Sequence, residues 1–207
     1  MNQAAPTKTR KPLFRRWMLC NIVGFILSFV LMIPLEFVAD TNRYVWLLGL
    51  ICGVALSPLQ AIALKPTFPK LKYWQWIAAN IVGMYAAITL NLWLQIQLAH
   101  YYNPLLELAR YGAVIGLCVG APQLIILGLH TKKAFSWWLA NILAWAIAVP
   151  ISSLIAFLLF LEPLDDLSTT ISAVTMAIAA ISIGLLMGSI YAAITSFSLV
   201  AIARSSQ

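Results

Sequence analysis

The sequence predicts an all-α integral membrane protein with six transmembrane helices, built as three repeated hairpins with approximate threefold symmetry and both termini in the cytoplasm. The first observation is composition: 62% of the residues are hydrophobic and 9% are charged, whereas soluble domains carry about 25% charged residues. The mean hydropathy is +0.91. This balance excludes a soluble enzyme, a disordered chain and a secreted disulfide scaffold. The cysteines Cys20, Cys52 and Cys118 lie in apolar stretches and indicate no disulfide framework or zinc site.

The second observation is the length of the apolar runs. A hydrocarbon core about 30 Å thick needs about 20 helical residues. Six runs have such lengths: 17–39, 44–64, 73–99, 111–129, 135–161 and 171–203. We therefore expect one transmembrane domain over 17–203, preceded by a basic cytoplasmic tail over 1–16. A cleaved signal peptide is the alternative for the first run, but its length and the lack of an Ala-x-Ala site favour a retained span.

Charge partition predicts the orientation of the spans. Eleven of the thirteen basic residues fall on one side: Lys8, Arg10, Lys11, Arg15, Arg16, Lys65, Lys70, Lys72, Lys132, Lys133 and Arg204. The other side has Arg43, Arg110 and all six acids: Glu36, Asp40, Glu107, Glu162, Asp165 and Asp166. Basic loops stay in the cytoplasm. We therefore expect the basic side to attract anionic lipids, and the net charge of +7 needs no nucleic-acid partner.

The third observation is an internal repeat in two alternating patterns. The odd helices begin alike, with Trp17-x-x-x-Asn21-x-x-Gly24, Trp76-x-x-x-Asn80-x-x-Gly83 and Trp137-x-x-x-Asn141-x-x-Ala144. The even helices share glycines four apart followed by a polar residue: Gly49 and Gly53 with Gln60, Gly112, Gly116 and Gly120 with Gln123, and Gly184 and Gly188 with Thr195. The chain is therefore predicted to be a helical hairpin in three copies.

Each element of the repeat has a physical interpretation. Tryptophan at a helix start is typical of the cytoplasmic headgroup level, and glycines four apart let helices pack closely. The polar side chains at similar depth are expected to hydrogen-bond in three pairs: Gln60 with Asn80, Gln123 with Asn141, and Thr195 with Asn21. The third pair requires the sixth helix to return beside the first. The sequence thus predicts a closed or nearly closed ring.

Two roles are open for the polar side chains. They are either structural clasps, since a buried amide without a partner costs several kcal/mol in a membrane, or the lining of a ligand or solute site. Asn80, Asn91 and Gln95 fall within about 60° on the third helix. Asn141 and Ser152 repeat that spacing on the fifth helix, so a neutral solute path between the two helices is one alternative.

Ionisable residues are missing from the interiors of the spans, which argues against several functions. Ion-coupled transporters place such residues within the membrane. His100 and His130 lie at span ends on opposite sides, and no His-Glu-x-x-His or Gly-x-Ser-x-Gly motif occurs. The sequence therefore predicts no enzyme activity, no catalytic residue, no metal site and no cofactor.

With these repeats, the chain resembles a set of bacterial, mainly cyanobacterial, multi-pass membrane proteins of unassigned function. They repeat the Trp-x-x-x-(small or Asn)-x-x-Gly start after a Gly-rich helix containing Gln. The resemblance covers 49–144 best, and Ala144 and Thr195 depart from the pattern. It implies a packing architecture and no activity. It also implies a bacterial inner membrane, or a thylakoid membrane for a cyanobacterial source.

The leading functional hypothesis is a non-enzymatic interaction or accessory subunit of a membrane complex, which binds membrane-protein partners, a second copy of itself or lipophilic ligands. The packing glycines, eight tryptophans and short loops favour it. The first alternative is a channel or facilitator for a small neutral solute. The second is a pigment- or quinone-binding membrane protein.

Overall fold

The computed structural model describes residues 10–36, 41–97, 103–160 and 169–205. It contains six α-helices: α1 (Arg10–Glu36), α2 (Thr41–Leu64), α3 (Tyr73–Gln97), α4 (Pro104–Gly128), α5 (Ala134–Phe160) and α6 (Thr169–Ser205). The predicted tail residues 1–9 lie outside the described residues, as do His100 and the acids Asp40, Glu162, Asp165 and Asp166. The helix α1 begins at Arg10, so helical structure extends into the segment predicted as a tail.

Five helices are long and apolar enough to cross a membrane: α1, α3, α4, α5 and α6. Among the described residues, the apolar part of α2 is the shorter segment Gly49–Leu64. The prediction of an all-α integral membrane protein with six helices is therefore confirmed. Membrane-spanning length is confirmed for five of the six, and the span over 44–64 stays a prediction.

The helices form a closed ring. Each helix packs against the helices before and after it in sequence, and α6 packs against α1. The predicted return of the last helix to the first is therefore confirmed. Because consecutive helices are antiparallel neighbours, the segments bearing Arg16, Lys65, Lys72 and Lys133 all lie at one end of the ring, which we call the basic end.

Close helix contacts occur at seven glycines of the even helices. A Cβ on Gly184 would lie 2.6 Å from Ile26 Cα, and one on Gly116 would lie 2.5 Å from the Asn141 carbonyl oxygen. The seven glycines predicted to serve packing all face the next helix around the ring: Gly49 and Gly53 face α3, Gly112, Gly116 and Gly120 face α5, and Gly184 and Gly188 face α1. A larger residue at the tightest of these positions would push the two backbones apart.

The helix α4 begins at Pro104, seven residues before the predicted start at 111. Asn103 caps it, because its side-chain oxygen accepts from the Leu105 and Leu106 amides at 3.1 and 3.2 Å. Proline at the first helical position has no amide that needs an acceptor. Glu107 and Arg110 form an ion pair three residues apart within the first turns of this helix.

Candidate functional site

Three tryptophans fill the axis of the ring near its basic end. Trp17, Trp76 and Trp137 have no exposed surface. The ring centroids of Trp17 and Trp137 are 5.3 Å apart, and those of Trp76 and Trp137 are 6.1 Å apart. The headgroup depth expected for these indoles stays a prediction, but their side chains face the inside of the bundle and not lipid. Each is turned inward because its N–H has a hydrogen-bond partner inside the bundle.

The asparagines one turn deeper are oriented by these tryptophans. The Nδ2 groups of Asn21, Asn80 and Asn141 donate to the carbonyl oxygens of Trp17, Trp76 and Trp137 at 2.8, 2.9 and 3.2 Å. All three asparagines are at most 3% exposed. Because Nδ2 bonds within its own helix, Oδ1 remains free to accept a hydrogen bond from the next helix.

Each glutamine bridges two helices. Gln60 Nε2 donates to Asn21 Oδ1 at 2.8 Å, and Gln60 Oε1 accepts from Trp76 Nε1 at 3.1 Å. The predicted pair of Gln60 with Asn80 is therefore wrong. The Nδ2 group of Asn80 bonds within α3, and the indole makes the contact with Gln60 instead.

The same arrangement recurs at α4. Gln123 Nε2 donates to Asn80 Oδ1 at 3.1 Å, and Gln123 Oε1 accepts from Trp137 Nε1 at 2.9 Å. The predicted pair of Gln123 with Asn141 is confirmed, as a longer hydrogen bond in which Asn141 Nδ2 donates to Gln123 Oε1 at 3.5 Å. Both glutamines therefore bond chiefly to the asparagine of the preceding helix and to the tryptophan of the following one.

On α6 two residues together make the two hydrogen bonds that a glutamine makes on α2 and α4. Tyr191 OH donates to Asn141 Oδ1 at 2.8 Å, and Thr195 Oγ1 accepts from Trp17 Nε1 at 2.9 Å. The hydroxyl of Thr195 then donates to the Tyr191 carbonyl oxygen. The predicted pair of Thr195 with Asn21 is thus wrong. Sequence reasoning missed Tyr191, although it lies one turn before Thr195.

These contacts form a closed ring of hydrogen bonds with one direction, here called the polar ring. In every link the donor belongs to the later helix and the acceptor to the earlier one, and α1 closes the ring by donating to α6. The members are Trp17, Asn21, Gln60, Trp76, Asn80, Gln123, Trp137, Asn141, Tyr191 and Thr195. Indole N–H groups donate and cannot accept, so the three tryptophans fix this direction.

Two predicted polar residues lie elsewhere. Asn91 is 4% exposed; its Oδ1 accepts from Arg110 NH1 at 3.2 Å, and its Nδ2 lies 3.4 Å from the Tyr111 carbonyl oxygen. Gln95 is exposed near the end of α3. The predicted stripe of Asn80, Asn91 and Gln95 therefore does not form one continuous lining.

An apolar cavity of about 510 Å³ lies next to the polar ring, on the side away from the basic end. All six helices line it, and representative residues are Phe29, Cys52, Ile88, Ile115, Val149 and Ile183. Its wall near the polar ring includes Phe25 and Trp145, whose ring centroids are 5.4 Å apart. The volume lies within the range of about 300–1,000 Å³ typical of small-molecule sites.

The chemistry of the site follows from its residue types. The polar ring contains no carboxyl, imidazole, amine or thiol group, and its amides bond within the protein. Within the described part of the chain, no group of three or more His, Cys, Asp or Glu side chains is placed to hold a metal ion. The cavity can therefore offer dispersion contacts and exclusion of water, which suit an apolar ligand.

Comparison with known proteins finds no match for the chain among protein-family models, curated proteins or solved structures. The resemblance to bacterial multi-pass proteins therefore stays a prediction.

Proposed function

We propose that this protein is a non-enzymatic membrane protein that holds one lipophilic molecule in the cavity of its helix ring. The observation that carries the proposal is an apolar cavity of about 510 Å³ to which all six helices contribute. Burying apolar surface is favourable by about 25 cal/mol per Å². A cavity of this size supports binding of an acyl or isoprenoid chain from the surrounding lipid.

The cavity bears on a small ligand and not on partner proteins. Its volume of about 510 Å³ falls among small-molecule sites. A role as an accessory subunit concerns the outer surface and stays a prediction.

The solute-channel alternative is less well supported. Each amide of the polar ring already donates and accepts a hydrogen bond within the protein. A passing solute would have to displace those bonds and part three buried indoles. The energy of leaving buried polar groups unpaired, about 1–3 kcal/mol each, favours the structural role of the amides.

Neighbouring alanines on α3 offer a matched test. Ala87 lines the cavity, whereas Ala86 lies on the exposed face. Wild type, Ala87→Trp and Ala86→Trp would be purified in dodecylmaltoside and assayed by gel filtration for bound tritiated dodecane, with empty micelles as background. We expect Ala87→Trp to lose at least fivefold in binding and Ala86→Trp to match wild type. Equal binding by all three proteins would overturn the proposal.

We also propose that the chain is three copies of one two-helix unit with approximate threefold symmetry, and that both termini are cytoplasmic. Support comes from the recurring tryptophan, asparagine and glutamine contacts and from the basic side chains at one end of the ring, which suit anionic lipids. A Ser206→Cys variant should react with a membrane-impermeant maleimide only after cells are opened. Labelling in intact cells would contradict the proposed orientation.

A further inference from the structure

One side chain of the cavity wall is also part of the outer surface of the bundle. Beside the polar ring the wall is closed, since Phe25, Met84 and Trp145 are at most 6% exposed. Phe157 lines the same cavity and is 59% exposed. Every other lining residue is buried or half-buried. Phe157 therefore marks the place where the cavity reaches the surface of the bundle.

Phe157 lies at the end of the bundle away from the basic end. It is three residues before α5 ends, and a rise of 1.5 Å per residue puts it about 18 Å beyond Trp145 along the helix. The apolar span of α5 extends to Leu158, and the nearby Leu154 and Leu158 are exposed. The surface around Phe157 is therefore apolar, which suits contact with acyl chains and not with water.

The α5–α6 pair differs from the other helix pairs in its packing. Each of the other five pairs has a glycine whose added Cβ would lie less than 3.0 Å from an atom of the neighbouring helix. These glycines are Gly24, Gly53, Gly83, Gly112 and Gly184. No described glycine makes such a contact between α5 and α6, and Ala144 occupies the position of Gly24 and Gly83 in the repeat. Glycine lets two helices approach most closely, so the pair that carries Phe157 lacks the close backbone contact of the others.

We infer that the ligand passes between the cavity and the surrounding lipid at Phe157, whose ring is the gate of the cavity. This inference rests on the proposed function and names the source of the ligand and the residue that controls its exchange. The polar ring and its three buried indoles close the opposite end of the cavity. A ligand that enters at Phe157 therefore comes from the membrane at the end away from the basic end, and the Phe157 ring must move aside to let it pass.

The test measures exchange of tritiated dodecane in dodecylmaltoside for wild type, Phe157→Ala, Phe157→Leu and Leu158→Ala. Leu158 is the matched control, because it is 64% exposed and lies outside the cavity lining. Uptake is followed after the probe is added, and release after excess unlabelled dodecane is added, both by rapid gel filtration. We expect both rates to rise about fivefold in Phe157→Ala, because a smaller side chain lowers the barrier to passage. Phe157→Leu should give a smaller rise, and Leu158→Ala should match wild type.

Rates and equilibrium binding together separate a gate from a simple contact. Loss of a contact with the ligand raises the release rate and lowers the affinity by the same factor, with uptake unchanged. Loss of a gate raises uptake and release together and leaves the affinity within about twofold of wild type. An uptake rate equal to wild type in both Phe157 variants, or an equal rise in Leu158→Ala, overturns the gate inference alone. Failure of wild type to bind dodecane above the micelle background overturns the proposed function and this inference together.

Discussion

Replacing Gln123 by leucine tests the polar ring most directly. Gln123→Leu keeps a similar side-chain volume but removes the acceptor for Trp137 Nε1 and the donor to Asn80 Oδ1. Both partners are at most 3% exposed, so water does not replace the lost bonds. Two unpaired buried groups at about 1–3 kcal/mol each set an upper limit of about 6 kcal/mol.

The lower limit comes from membrane proteins, in which interhelical hydrogen bonds average about 0.6 kcal/mol because the unfolded state also finds partners. Two bonds on that scale give about 1.2 kcal/mol. The buried indole N–H of Trp137 has no second acceptor within the polar ring. The bonds of the ring are also linked in a closed chain, which strengthens each of them. We therefore expect a loss of at least about 2 kcal/mol in the free energy of unfolding.

The assay is sodium dodecyl sulfate titration in mixed micelles, followed by far-ultraviolet circular dichroism. Gln95→Leu is the matched control, because Gln95 is exposed and the chemical change is identical. A double-mutant cycle with Trp137→Phe should give a coupling energy of about 0.5–3 kcal/mol. Equal stability of Gln123→Leu and Gln95→Leu, or zero coupling to Trp137, would refute the reasoning.

Two further predictions use the same titration. Gly184→Ala should destabilise the protein by about 1–3 kcal/mol, because the added Cβ would lie 2.6 Å from Ile26 Cα. Gly128→Ala, with no atom within 4 Å of its added Cβ, should change stability by less than about 1 kcal/mol, and equal losses would contradict the close contact. Tyr191→Phe should lower the free energy of unfolding by about 1–3 kcal/mol, since the amide oxygen that it bonds on α5 stays buried. Tyr73→Phe changes an exposed side chain and should stay within about 0.5 kcal/mol of wild type. Similar losses in the two variants would argue against a role for the Tyr191 hydroxyl.

The sequence predicts which helices are adjacent in the ring better than it predicts which side-chain atoms form hydrogen bonds. Spacing places Gln60 and Asn80 at similar depth on adjacent helices, and those helices do pack together. Spacing carries no information on rotamers, and the Asn80 amide turns to the carbonyl oxygen of Trp76. The actual partner of Gln60 on α3 is therefore the indole, four residues earlier.

Other differences have local physical reasons. The side chain of Thr195 is shorter than those of Gln60 and Gln123, so it cannot make both of the bonds that a glutamine makes. Tyr191, one turn away, makes the second bond, and the first two hairpins have no corresponding residue from which this could be predicted. An apolar run cannot include Glu107 and Arg110, so it begins at 111, whereas the helix holds both residues as an ion pair. The cavity depends on how six helices pack, which no single segment specifies.

The bond between Trp17 Nε1 and Thr195 Oγ1 joins residues 178 positions apart. Residues 17–195 must all be synthesised before this bond forms, so the ring closes only once α6 has joined the bundle. Until then the Trp17 indole N–H and the Asn141 amide oxygen have no hydrogen-bond partner on α6 inside the bilayer. A chain that ends before α6 therefore keeps an unpaired indole N–H on α1 and an unpaired amide oxygen on α5.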